Sequence, residues 1–539
     1  MRNSSLRSSL PSRRGVLTAG AALAGGGLLA ACSDDGGGSG GGKSGDKGYV
    51  DPSGKEVKAA EAKRAAGRTE TKKLTATRTR LDLGDGTTVP TWAYGDELPG
   101  KEVRVTAGST LALTLANNLP QSTSLHWHGL ALRNDMDGVP DLTQRAIKPG
   151  ADFTYRFRLA HPGTYWFHPH SGVQQDRGLY APLIVEDPKE PLKYDEEWVV
   201  VLDDWVDGVD GSTPDAVLAE LSKGMGGMDH GDGGGGGDDS GGGGMDHDMH
   251  GMGGRAEKKD GKDGPSRMMM GATSKLLGGD AGDVKYPHYL VNGRTPGDPR
   301  TFRAKPGDRI RIRLINAGGD TAFRVALGGH RMTVTHTDGF PVTHTETDAL
   351  LLGMGERYDV LVTAKDGVFP LTALAEGKKE TARALLRTGG GAAPSAKTRP
   401  KELDGKLVTA EKLKADDSVR LKQARPDRTL TFKLTGGMAK YDWAINGEKY
   451  SPAQRHPVRA GERVRLRFVN TTTMWHPMHL HGHTFALPDG GPRKDTAIVL
   501  PGKTLTADLD ADNPGLWMIH CHNVYHSESG MMTVLAYRR

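Results

Sequence analysis

The chain has 539 residues, enough for roughly two to four domains with substantial cores, and only 6% of them are aromatic. Its formal charge of +5 includes Arg2, Arg7, Arg13 and Arg14 in one N-terminal segment, so the remainder is near neutral and offers little to a nucleic acid or an acidic polymer. There are just two cysteines, Cys32 and Cys521, which argues against a disulfide-built fold.

The N-terminus reads "SRRGVLTAGAALAGGGLLAAC", a basic Arg13-Arg14 pair followed by a glycine- and alanine-rich apolar run from Val16 to Ala31. That run is short and weakly apolar for a membrane span and looks like a twin-arginine export signal over residues 1–31. The "LAAC" at its end resembles a lipoprotein cleavage site, with Cys32 as the lipidated first residue of the exported chain and residues 32–69 as a flexible glycine-rich tether. This pattern predicts an extracytoplasmic protein, lipid-anchored to the outer face of the cell membrane. With Cys32 acylated, Cys521 has no disulfide partner.

Three segments repeat one another: "VRVTAGSTLALTLANN" (Val103 to Asn118), "FRAKPGDRIRIRLINA" (Phe302 to Ala317) and "HPVRAGERVRLRFVNT" (His456 to Thr471). Each has a glycine turn, then apolar and polar residues alternating at the strand period, and closes at Asn. The repeats predict an all-β chain of three consecutive small sandwiches, residues 70–190, 195–388 and 425–539, with a linker over 389–424.

A second repeat carries metal-ligating residues. The first domain has "LHWHG", with His126 and His128, and "HPGTYWFHPH", with His168 and His170. The third has "MHLHG", with His479 and His481, and "NPGLWMIHCH", with His520 and His522. The interval from His126 to His168 is 42 residues and that from His479 to His520 is 41. Side chains at i and i+2 leave a strand on the same face, so each pair aims two imidazoles into one cavity. Imidazole suits copper, zinc, iron and nickel alike.

Cysteine narrows that choice. Cys521 points away from His520 and His522; His526 and Met531 follow it closely, and His476 precedes the pair His479 and His481 at the opposite parity. Two histidines, a thiolate and a distant methionine are the ligand set of a blue-copper centre.

With "HWHG", "HPH", "HPMHLHG" and "HCHNVYHSESGM" all present, the chain from about residue 70 onward resembles a three-domain bacterial multicopper oxidase, laccase-like or of the copper-resistance type. The resemblance implies cupredoxin-like sandwiches and four copper ions. His476, Cys521, His526 and axial Met531 would hold type 1 copper. His126 and His479 would hold type 2. His128, His168, His170, His481, His520 and His522 would hold the two type 3 ions. It also implies oxidation of a substrate at an exposed edge of His476 or His526, and transfer through Cys521 to His520 and His522. Dioxygen would then be reduced to water, with Asp137 in "DMDGVP" delivering protons. Relatives often carry an acid directly after the last type 1 histidine; here that place is Ser527. Glu528, one further on, reads as an exposed loop carboxylate.

The middle domain keeps the strand repeat but lacks a His-x-His pair, so His330 and His336 read as structural, as does His483 in the third. Within it, residues 223–277 form a glycine- and acid-rich insertion expected to be disordered. Met225, Met228, His230, Met245, His247, Met249, His250 and Met252 recur there in short clusters, and thioethers select Cu(I), so labile Cu(I) binding is expected. Two functions stay open: an oxidase of Cu(I), phenols or aromatic amines acting in copper tolerance, and a surface copper-sequestering lipoprotein with incidental oxidase activity.

Overall fold

The computed structural model describes residues 48–225 and 264–539. The export signal, Cys32 and most of the insertion, from Met228 to Met252, lie outside the described residues. No helix among the described residues is long and apolar enough to cross a membrane.

The strands form three successive pairs of sheets. In the first pair, Thr69–Gly84, Thr87–Tyr94, Thr110–Asn117 and Asp152–Arg158 make one sheet, and Val103–Thr106, His126–His128, Gly163–His168 and Ala181–Glu186 make the other. Two six-stranded sheets follow, from Glu196–Trp205 to Leu407–Val408. A six- and a five-stranded sheet complete the chain, from Arg428–Thr435 to Met532–Tyr537.

The sequence repeat is a structural one. Thr110–Asn117, Arg309–Asn316 and Arg463–Asn470 each run between a parallel neighbour and an antiparallel one. The asparagine that closes each strand is buried and turns the chain. Asn117, Asn316 and Asn470 each accept through Oδ1 from the N–H two residues on and donate through Nδ2 to two carbonyls. Such a side chain satisfies backbone groups that the strand end leaves unpaired, which is why the same residue recurs.

The register of the second sheets accounts for the matched histidine intervals. His126 sits opposite His168 on antiparallel neighbours in the first pair. His479 sits opposite His520 on antiparallel neighbours in the third.

Three expectations about the connecting segments change. Residues 48–69 are not a free tether. Tyr49 bridges to Arg538, Val50 donates its N–H to the carbonyl of Tyr537, and helix α1, Lys55–Ala62, buries Val57 and Glu61 four residues apart on one face. Glu61 accepts from the backbone N–H of Arg158 (2.8 Å), so this strap joins the first and last sheets. A second helix, α2 (Pro214–Leu221), is capped by Thr213 and leads into the insertion.

The returning limb of the insertion, from residue 264, is ordered. Thr273–Ser274 pairs with Gly279–Asp280, and Leu277 is fully buried. The linker over 389–424 is also fastened down. Leu407–Val408 adds to the edge of Ala349–Leu352, Leu403 packs with Ala326 and Ala349, and Ala415 bridges to Val342. In each segment a few apolar side chains bury against a sheet that would otherwise be exposed, outweighing the polar composition around them.

Candidate metal centres

Cys521 ends the strand Leu516–Cys521 and is fully buried. Its Sγ lies 3.6 Å from His476 Nδ1 and 3.7 Å from His526 Nδ1, and those two nitrogens are 3.1 Å apart. His476 opens the adjacent strand, and His526 lies on helix α3, Val524–Ser529, whose N-cap Asn523 accepts from the N–H groups of Tyr525 and His526. Met531 is fully buried in the same core; its carbonyl accepts from Cys521 N–H and its N–H donates to the carbonyl of His526.

The hydrogen bonds behind these rings decide what they present. His526 Nε2 donates to Asp283 Oδ2 at 2.9 Å. Thr472 Oγ1 spends its one proton on Asn470 Oδ1 or the carbonyl of Met474, so it accepts from His476 Nε2 at 2.9 Å. The His476 Nδ1 lone pair therefore faces His526 Nδ1 beside a thiol. A proton on His526 Nδ1 can occupy the space between the two rings, and it is the same space that a cation would take when the ring loses that proton. A trigonal ion about 2.0 Å from nitrogen and about 2.3 Å from sulfur separates its donors by about 3.5–3.7 Å, close to the spacing observed. Burial opposes charge on His526, but Asp283 outweighs it and pushes the ring up to about 10.

The other eight histidines converge in one cage. Donor atoms of His128, His168 and His522 lie within 4.8 Å of one another, as do those of His170, His481 and His520. His126 and His479 remain, with ring centroids 5.8 Å apart, and each also groups with neighbours from those trios. Nε2 of His126, His168, His170 and His479 is buried without a partner. Nε2 of His481 and His520 approach to 3.1 Å, and His522 Nε2 meets His128 Nδ1 at 3.2 Å.

Six rings donate their opposite N–H to oxygen. The acceptors are the carbonyls of Asp137, Pro169, Asp495 and Cys521 for His126, His168, His479 and His520. Asp137 Oδ2 and Asp495 Oδ1 take those of His481 and His128. The inward nitrogens are thus unprotonated, as metal ligands must be. Burial, reinforced by neighbouring imidazoles, holds His128, His168, His170, His481, His520 and His522 well below the usual histidine value, so these six rings are neutral and ready for cations.

The acids that line the cage differ in how readable they were. Asp137 is fully buried, with Oδ2 on His481 and Oδ1 3.2 Å from His126 Nδ1. Asp495 was missed, since neither a motif nor a spacing marks it. Burial opposes its charge, but Arg357 holds its carboxyl well below the usual carboxylate range. Asp283 was also missed, being 243 residues from His526.

Two expectations about the thiolate centre fail. Neither His476 nor His526 has an exposed edge, because both are fully buried. The Trp443 ring lies 4.2 Å from that of His526 and 5.3 Å from that of His476, and Asp283 bonds the His526 ring edge. Glu528 is not an exposed loop carboxylate. It sits on α3, half-buried, and burial pushes it up to about 7.

The histidines read as structural are engaged with protein groups. His330 bonds the carbonyl of Gly328 and the N–H of Lys365, His336 meets Thr335 Oγ1, and His483 Nε2 meets the Tyr537 hydroxyl. Of the Cu(I)-recruiting candidates only Met225 is described, and it is exposed. The limb returning from the insertion brings Met268 into a bridge with Val284, and Met269 N–H donates to the carbonyl of Asp283.

Residues 75–190, 262–391 and 423–539 each match a multicopper oxidase family model. Multicopper oxidase MmcO of Mycobacterium tuberculosis is 50% identical to this chain, covering 89% of it and 90% of the relative. A copper resistance protein A homolog of Pseudomonas syringae is 30% identical over 85% of this chain and 90% of its own. Among solved structures, Fet3p, described as a multicopper oxidase that functions in iron import, superposes with a TM-score of 0.68 at 22% identity, covering 87% of this chain and 90% of its own. A laccase from Botrytis aclada also reaches 0.68 at 22% identity, with 88% and 89% covered. These two likenesses establish the shared cupredoxin-like fold.

Proposed function

The chain belongs to the multicopper oxidase family, and from that premise we propose that its thiolate triad and histidine cage hold four copper ions serving the oxidation of Cu(I), phenols or aromatic amines in copper tolerance. The division is one type 1 ion at His476, Cys521, His526 and Met531, one type 2 ion at His126 and His479, and two type 3 ions at His128, His168 and His522 and at His170, His481 and His520. The observation that carries this reading is the set of buried ring nitrogens with no protein partner on His126, His168 and His479, whose opposite N–H groups are spent on oxygen.

Bound copper supplies one-electron exchange at the thiolate and the four-electron reduction of dioxygen to water at the cage. The protein supplies connection, exclusion of water and protons. Cys521 is joined through one peptide bond to His520 and through another to His522, so one strand end links the two centres covalently. Burial of every ring but the half-buried His170 keeps bulk water from the metal-binding nitrogens. Asp137 Oδ1, without a hydrogen-bond donor, is the atom at which a proton can be held beside His126. With His526 enclosed, the ring's buried partner Asp283 lies on the limb that returns from the methionine-rich insertion. That placement favours Cu(I) as a substrate delivered by the insertion.

The three sheet pairs support a division into domains near 70–190, 195–388 and 425–539, and the Arg13-Arg14 pair and the "LAAC" ending at Cys32 support export and lipid anchoring. The test is oxygen uptake by copper-loaded protein with Cu(I), a phenol and an aromatic amine in parallel. Four coppers per chain outside the insertion, a blue thiolate band and uptake with Cu(I) are expected. One copper per chain without colour overturns the assignment. Removing residues 226–263 should depress Cu(I) oxidation more than phenol oxidation, and equal losses would refute recruitment by the insertion.

A further inference from the structure

Resting on that four-copper reading, the geometry points to the middle β-unit as an active part of the cage: it contributes no ligand, but its Arg357 positions His128 and His479 through Asp495. The segment Met354 to Asp359 reaches the cage directly. Gly355 has φ +85°, and a Cβ there would lie 2.9 Å from both His128 Cε1 and His522 Cδ2, so backbone from the middle unit forms one wall.

Two residues later, the fully buried guanidinium of Arg357 grips Asp495 with both ends. Nη1 donates to Oδ1 at 2.8 Å and Nη2 to Oδ2 at 2.6 Å. Its remaining donors go to the carbonyl of Gly355 and, through Nε, to that of Thr164 in the first sheet pair. One side chain thus ties all three units at the cage.

The carboxylate it holds is shared by two rings. Asp495 Oδ1 lies 3.0 Å from His128 Nε2 and 3.5 Å from His479 Nδ1, and its carbonyl accepts from the same His479 nitrogen at 2.9 Å. Thr496 Oγ1 bonds Asp495 Oδ1 and lies near both rings. A planar guanidinium fork sets the plane of a carboxylate as a point charge does not, and that plane sets the angle of each ring it touches.

The loop also has anchors other than Arg357's side chain, although that guanidinium lies 3.5 Å from Asp338 as well. Asp338 accepts from the backbone N–H groups of Arg357, Asp495 and Thr496, while Lys494 pairs with Asp338 and Glu356. The bidentate contact is therefore an additional constraint, aimed at the carboxylate that touches the ligands. Partners behind metal ligands typically govern affinity by about 10–100-fold.

The test uses full-length copper-loaded protein and three variants: Arg357→Met, Arg357→Lys, and the double variant Arg357→Met with Asp495→Asn, which removes both buried charges so that none is left unpaired. Chelator titration reads copper held by the cage, paramagnetic resonance reads the geometry at His126 and His479, and the blue band reads the thiolate centre as an internal control. Expected are at least about a tenfold loss of cage affinity and an altered cage resonance in Arg357→Met and in the double variant, partial recovery in Arg357→Lys, and an unchanged blue band throughout. Full copper retention with an unaltered resonance in the double variant overturns the inference. So does equal loss at both centres, which would make Arg357 a general fold residue. Wild-type protein that fails to hold four coppers would strike the four-copper reading instead, before any variant is compared.

Discussion

The thiolate triad and the histidine cage differ in how much of the chain each needs. Residues 476 to 531 of one β-unit supply the whole triad, and Asp283 reaches it from another part of the chain. The cage takes four histidines from each end of the chain, a carboxylate from each end unit and Arg357 from the middle. A site built within one unit is as secure as that unit's strands, whereas a site built across units is as secure as their packing. The strand end at Cys521 belongs to both, so the more local centre is also the link to the more distributed one.

The largest expected effect tests that link. Replacing Cys521 with Ser should abolish the blue band and reduce oxygen uptake with every reductant to a few per cent or less, while the cage still takes up copper. Substantial uptake in the variant would mean that electrons enter the cage independently of the triad. Next comes proton supply at the distributed centre. Asp137→Asn should lower turnover by about 10²–10³-fold, with the blue colour still bleached by reductant but slow to return in air. A variant whose colour returns at the wild-type rate would remove Asp137 from proton delivery.

Acidity should separate the cage from His526 thermodynamically, while burial holds His476 of the triad well below its usual value, as it does the cage rings. Seven cage histidines are held below their usual value, so in metal-free protein the unfolded state binds more protons, and stability rises with pH. That stability is fully present above the unfolded value of about 6.5 and is lost as pH falls from there. His526 is shifted the other way, up to about 10, so its contribution is full below about 6.5 and declines toward pH 10. The Tm of metal-free protein should therefore drop between about pH 7 and pH 5, and copper should flatten the drop. A flat profile without metal would show that the rings are not buried neutral.

The smallest effect concerns the strap. Arg64 bonds Glu61 and Asn513, and Asn513 in turn donates to the carbonyls of Leu132 and Gly482 beside the cage loops. Arg64→Ala should cost about 1 kcal/mol in urea unfolding and weaken cage copper slightly, leaving the triad untouched. A larger loss at the triad than at the cage would reverse the comparison.

By itself the sequence determined the strand repeats, the closing asparagines, the four histidine pairs and the placement of Cys521 among His476, His526 and Met531. These are legible because strand geometry is local: a period of two sets which face a side chain leaves, and a matched interval sets which residues stand opposite across a ladder. Tertiary structure alone decided that Asp495 backs His128 across 367 residues, that Asp283 backs His526 across 243, and that Trp443 covers both rings of the triad. It also decided that the segments expected to be tether and linker are fastened to sheets. Burial and partner choice depend on which surfaces meet once the sheets pack, and a single carboxylate or indole carries no periodic mark of the partner it will find.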